Sequence, residues 1–147
     1  MMRERIVFDT NTLISAALFR LSIPRQALDQ ALLYDDVLVS EATILELTSV
    51  LFRPRFDRYL SQAIREVFLA SFLQQAQTIT ITEKITDCRD VNDNKFLELA
   101  VSGAAQTIVS GDDDLLSLDP YRDIRIVTAR LYLENHRYTT FSRKPPT

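Results

Sequence analysis

Five acidic residues stand where neighbouring residues could bring them together: Asp9, Glu46, Asp93, Asp112 and Asp114. Asp9 ends the apolar run "RIVFD", and Asp112 and Asp114 follow "TIVSG", so both sets lie just beyond apolar, strand-like segments. Taken singly, each acid has an ordinary structural or solvated reading, and Asp9 or a polar neighbour could simply cap the next helix. Taken together, carboxylates converging on one rim repel one another unless a cation sits among them. All-oxygen donors select hard ions, Mg²⁺ or Mn²⁺. Two such ions ~4 Å apart would activate water and steady the leaving oxygen in phosphodiester cleavage.

The elements that must position these acids alternate between strand and helix. Strands are expected at 5–9, 36–40, 78–82, 107–110 and 123–128. Helices are expected after Asp9, at 22–33 with Ser22 as cap and Pro24 in the first turn, and at 41–52 after Ser40. A longer helix follows Asp57, with Leu60, Ile64, Val67 and Ser71 on one stripe. Another spans 93–103, terminated by Gly103, and a last one holds Leu131, Tyr132 and Leu133. Such alternation predicts an α/β fold, a three-layer α/β/α sandwich around a parallel sheet of four or five strands. The expected domain covers 1–138, and the tail 139–147 is expected to be disordered. Functional groups in such sheets gather beyond the carboxyl ends of the strands, where strand order reverses. Asp9 and Asp112 are therefore expected side by side, with Gly111 allowing a tight turn and Asp112 and Asp114 projecting to one side. Glu46 falls at the edge of its helix's apolar stripe, and Asp93 opens the helix before the fourth strand.

The composition excludes several alternatives. With two glycines, Gly103 and Gly111, the chain has no phosphate-binding glycine loop and no dinucleotide fingerprint, so no nucleotide cofactor is expected. One histidine, His136, cannot build a His-rich zinc site and reads as a solvated helix-end residue. One cysteine, Cys88, fits a reducing compartment. No apolar run approaches the ~20 residues that span a bilayer, and Asp9 interrupts any signal-peptide core, so a cytoplasmic protein without a membrane partner is expected. Setting five site acids aside leaves 15 acids against 17 bases, a net +2. Arg20, Arg89 and Lys95 are placed by sequence where they could contact phosphates, and "RPRFDR" (53–58) is the densest basic cluster.

As a set, "IVFDTNTLISA", "EATILEL", "DVNDNKFLELA" and "TIVSGDDDLL" resemble the PIN-domain family, and most closely the PIN-family toxins of bacterial toxin–antitoxin systems. The resemblance covers essentially residues 5 to 135. It implies a Mg²⁺- or Mn²⁺-dependent endoribonuclease acting on single-stranded RNA. Asp9, Glu46, Asp93 and Asp112 match the family's acidic quartet, and Asp114 the additional acid of some members. Asn11 and Ser110 match positions that orient ligands or water. A departure is "DVND", where Val91 and Asn92 replace a proline and an acid. The resemblance also implies a small antitoxin partner and a homodimer, with the helix pair around 40–75 as a contact surface. Two rivals remain open: a haloacid-dehalogenase-type phosphatase, whose aspartate signature "DTNT" nearly imitates, and a catalytically silent PIN-like module binding RNA or protein.

Overall fold

The runs at 5–9, 36–40, 107–110 and 123–128 become strands whose side chains alternate between two buried faces. The structure, a computed structural model, describes residues 3–135. In chain order the elements are β1 (Arg5–Phe8), α1 (Thr10–Leu18), α2 (Ile23–Tyr34), β2 (Asp36–Val39), α3 (Glu41–Leu51), α4 (Gln62–Gln75), β3 (Gln77–Thr78), α5 (Asn94–Ser102), β4 (Thr107–Val109), α6 (Asp113–Leu116) and β5 (Arg125–Val127). Short 3₁₀ turns at Pro54–Phe56 and Val91–Asp93 precede α4 and α5, and residues 129–135 are helical. The strands form one sheet in the order β3-β2-β1-β4-β5, every pair parallel. The expected three-layer α/β/α architecture with five strands is thus the observed one.

Ile6, Phe8, Val37, Val39, Val109 and Val127 turn to one face and pack with Leu28, Leu47, Leu51, Phe72 and Tyr132. Val7, Leu38, Ile108 and Ile126 turn to the other and pack with Phe96, Leu97, Leu99 and Leu115. Burial on both faces explains why the strands read as continuous apolar runs rather than alternating ones. β1 is central, and β1 and β4 pair from Ile6–Thr107 to Phe8–Val109, which ends both strands level with each other. The chain crosses from β1 to β2 on one side and reaches β4 on the other, so the order reverses between β1 and β4.

Two local expectations need correction, at 78–82 and at Gly111. The strand read at 78–82 is only Gln77–Thr78. Beyond Ile79, whose N–H still donates to the Val39 carbonyl, the chain turns onto α5. There the N–H of Thr82 donates to Ser102 Oγ and that of Ile85 to Glu98 Oε2, so side chains of α5 satisfy the backbone that a fuller strand would have paired. Gly103 does end α5, but at φ −91°, and the left-handed residue is Ala104 at φ 53°. The glycine matters for space: a Cβ there would lie 2.6 Å from Leu38 Cδ1, so that buried side chain would have to shift to admit one. Gly111 is not in the left-handed region either, and its surroundings are open. The turn is instead held by Ser110 Oγ, which accepts the N–H of Asp112 at 2.9 Å.

The stripe expected on the helix after Asp57 lies on an exposed face. Ile64 and Val67 are 54% and 68% exposed and, with Leu60 and Ser71, border a groove against α1 and α2. What α4 buries is Phe72 and, 1% exposed, Arg65. The Arg65 guanidinium donates to the carbonyls of Leu51 (3.0 Å) and Arg53 (3.4 Å), pairs with the Asp57 carboxylate and stacks over the Phe52 ring. A long cationic side chain gave no sequence signal of this role. No helix among the described residues is long and apolar enough to cross a membrane. His136 and the tail lie outside the described residues.

Candidate metal centre

Asp9 follows β1 directly and caps α1: its Oδ1 accepts the N–H of Thr12 at 2.8 Å. Its other oxygen accepts the hydroxyl of Ser110 at 2.5 Å. Ser110, fully buried after β4, thereby ties the ends of the two central strands together, since its Oγ also accepts from the Asp112 amide. Asp9 is 4% exposed. Burial pushes its pKa up, the hydrogen bonds from Ser110 and Thr12 pull it back, and the Asp112 charge adds to the rise.

Asp112 caps the short α6, with Oδ1 accepting the N–H of Asp114 at 2.7 Å. Opposite it, Asp93 closes the 3₁₀ turn that leads into α5 and makes no capping hydrogen bond. Asp90 opens that turn, its Oδ1 accepting the N–H of Asn92 at 3.0 Å. Carboxylate oxygens of Asp90, Asp93 and Asp112 lie within 4.8 Å of one another. Burial, and then the charges of Asp112 and Asp90, push the Asp93 carboxyl up to about 7. Asp93 Oδ2 is buried without a hydrogen-bond partner. An orphaned carboxylate oxygen beside two further acids is the arrangement a hard divalent cation satisfies, and the all-oxygen donor set fits Mg²⁺ or Mn²⁺.

Two cavities meet at this point. One, of about 190 Å³, is lined by Asp9, Asn11, Glu46, Asp90, Asp93 and Asp112, among others. The second, of about 570 Å³, lies on the far side of Asp9 and Asp112 and includes Asn11, Ser110, Asp113 and Asp114. Of the expected site residues, Asp9, Glu46, Asp93 and Asp112 share the first cavity. Asp112 and Asp114 both line the second cavity, while the first cavity and the three-acid cluster include Asp112 without Asp114. Glu46 is already partnered, accepting the hydroxyl of Thr10 at 2.5 Å and pairing with Lys95 Nζ at 2.5 Å.

The basic residues are distributed differently from expectation. Lys95 is held by Glu46 rather than extended toward a phosphate. Arg20 lines the apolar groove between α2 and α4 instead of the acidic cleft. Arg89 is exposed beside Asp90 and lines neither cavity. Sequence reasoning missed Asp90, although its spacing of three from Asp93 across a helix start was visible. It also missed Arg53, which lines the first cavity.

A family model described as PIN domain matches residues 5–114. The uncharacterised protein MJ1680 of Methanocaldococcus jannaschii is 32% identical over 118 residues, 78% of this chain and 74% of that protein. Among solved structures, a chain of VapBC2 from Rickettsia felis, bound to a promoter DNA fragment, is similar with a TM-score of 0.59 and 15% identity, over 83% of this chain and 96% of that one. PAE2754 from Pyrobaculum aerophilum is similar with a TM-score of 0.58 and 16% identity, over 92% and 90%. These structural likenesses concern the fold. The family match and the archaeal relative together show that this chain belongs to the PIN-domain family.

Proposed function

We infer that this protein is a divalent-metal-dependent endoribonuclease that hydrolyses phosphodiester bonds of single-stranded RNA, and that it is the toxin of a toxin–antitoxin pair. The observation that carries the nuclease reading is the buried, unpartnered Asp93 Oδ2 beside Asp90 and Asp112, at the switch point of a PIN-type sheet. Asp90, Asp93 and Asp112 would hold the ion, with Asp9 as a further donor. When bound, Mg²⁺ or Mn²⁺ supplies a water made acidic enough to attack phosphorus near neutral pH and neutralises charge on the reacting oxygens.

The chain's own residues do the rest. Ser110 and Thr12 fix the Asp9 carboxylate from both sides, and their hydrogen bonds pull against the rise in pKa that burial causes. Thr10 and Lys95 hold the carboxylate of Glu46, the fourth acid of the quartet, in place. Asn11 lies at the junction of the two cavities, where its amide can orient water or a phosphate oxygen, and Asp114 lies farther along the second cavity. For a phosphatase, position 11 would have to donate a carboxyl proton to the leaving group, which Asn11 cannot do. The antitoxin partner is supported by the sequence resemblance and by the fold likeness to VapBC2. The exposed apolar face of α4 offers such a partner, or a second copy of the chain, a surface to bury.

Incubation with mixed single-stranded RNA tests the reading. Cleavage should require Mg²⁺ or Mn²⁺, stop in EDTA and fall at least ~10²-fold in Asp112→Asn. Cleavage that persists in EDTA would refute metal dependence, and turnover of a phosphomonoester without RNA cleavage would favour the phosphatase.

A further inference from the structure

We propose that Arg53 is a substrate-binding residue that holds a backbone phosphate of the RNA strand next to the acidic cleft; this rests on the nuclease reading above. A strand that enters a cavity lined by Asp9, Glu46, Asp90, Asp93 and Asp112 meets concentrated negative charge. Arg53 is the cationic side chain lining that cavity, and its guanidinium makes no hydrogen bond or ion pair among the described residues. Lys95, the other nearby cation, is committed to Glu46. Among the described residues the second cavity has no basic side chain in its lining. Among the described residues, then, the lining of the two cavities supplies cationic help on the Arg53 side and not on the side beyond Asp112.

The corner that carries Arg53 is built with unusual care for a surface turn. Pro54 restricts the preceding residue to extended backbone, and Arg53 has φ −62° and ψ 137°. Its N–H donates to the Val50 carbonyl at 3.2 Å. Its own carbonyl accepts from Phe56 N–H at 3.0 Å and from the buried guanidinium of Arg65 at 3.4 Å. Arg65 also grips the Leu51 carbonyl, where α3 ends, and the Asp57 carboxylate just beyond the turn. One buried cation thus locks the backbone on both sides of an exposed one. Guanidinium suits the task, since its planar donors match phosphate oxygens.

The test compares wild type, Arg53→Ala and Arg53→Lys. Equilibrium binding of a fluorescent single-stranded RNA oligonucleotide is followed in EDTA at several salt concentrations, and steady-state cleavage in Mn²⁺. For Arg53→Ala we expect ~10-fold weaker binding, a KM raised by a similar factor, kcat within about threefold of wild type, and a salt slope shallower by ~0.7. Arg53→Lys should regain most of the salt slope, because the slope counts the charge. Unchanged melting temperatures would show that the corner still folds. Wild-type binding, KM and slope in Arg53→Ala would overturn the proposal, as would a fall in kcat with binding unchanged, or a lysine variant whose slope matches alanine. If the wild type itself neither binds nor cuts RNA, the nuclease reading fails, and this proposal with it.

Discussion

Replacing Asp93 with asparagine should make the metal-free protein more stable, and by an amount that depends on pH. In the folded state Asp93 titrates near 7, mainly because it is buried and then because Asp112 and Asp90 face it. In the unfolded chain it returns to the ordinary carboxylate value near 4. Below about pH 4 it is protonated in both states and costs nothing. As pH rises from about 4 to about 7, the unfolded state ionises while the folded state resists, so stability falls across that window. Above about pH 7 the full cost is present. Without screening, three pKa units at about 1.4 kcal/mol each would give about 4 kcal/mol. The cleft is open to water on one side, so we expect about 1–2 kcal/mol.

Asp93 makes no capping hydrogen bond to α5, so asparagine removes the charge without removing a cap. The assay is urea unfolding of wild type and Asp93→Asn in EDTA at pH 4.5 and pH 8. The two should be nearly equal at pH 4.5, with the variant more stable by about 1–2 kcal/mol at pH 8. Adding Mn²⁺ at a hundredfold excess over its dissociation constant should stabilise the wild type by about 2.7 kcal/mol and the variant by much less. A variant less stable than wild type at pH 8 in EDTA, or one that gains as much from Mn²⁺, would refute the claim that these acids repel one another over a cation site.

Two further substitutions probe the scaffold. Arg65→Ala should cost about 3–5 kcal/mol by urea unfolding, because it strands the carbonyls of Leu51 and Arg53 and empties a fully buried volume. Gly103→Ala should cost about 1–3 kcal/mol through overpacking against Leu38 rather than backbone strain, and trimming the contact with Leu38→Val in the same protein should recover part of the loss.

What was legible in the sequence was whatever could be decided within a dozen residues. Ile6 to Phe8 and Thr107 to Val109 announce buried strands by composition, and the acids after them fall at strand ends for that reason alone. The pairing of β1 with β4 followed from the alternation of elements, and with it the approach of Asp9 to Asp112. Illegible were features fixed by contacts distant in sequence. Glu46 and Lys95 are 49 residues apart, and each looks like a free surface charge until α3 and α5 are brought together. Arg65 reads as an exposed helix residue because its partners are carbonyls at the end of another helix, which leave no trace in side-chain patterns. The stripe of Ile64 and Val67 was legible as a stripe but not as an exposed one: period reports that a helix has an apolar face, not what covers it.

The stretch "IVFDTN" shows why the capping and the functional readings of one aspartate need not compete. Asp9 caps α1 through Oδ1 and receives Ser110 through Oδ2, so both oxygens have donors before any cation arrives. Those two hydrogen bonds oppose the burial that raises its pKa. Asp93 has the opposite arrangement, with no cap and a buried oxygen that nothing among the described residues satisfies. The protein thus supports ionisation of Asp9 with its own dipoles and leaves ionisation of Asp93 to whatever the cleft binds. It follows that Asp9→Asn is a poor probe of repulsion. Asparagine can accept from Thr12 as aspartate does, but its amide would donate to the Ser110 oxygen beside the Asp112 N–H, and the Ser110 O–H would lose the carboxylate that accepts it. Charge loss and hydrogen-bond loss would arrive together with opposite signs. Only at Asp93, where the protein supplies no donor to lose, does removing the charge measure the charge.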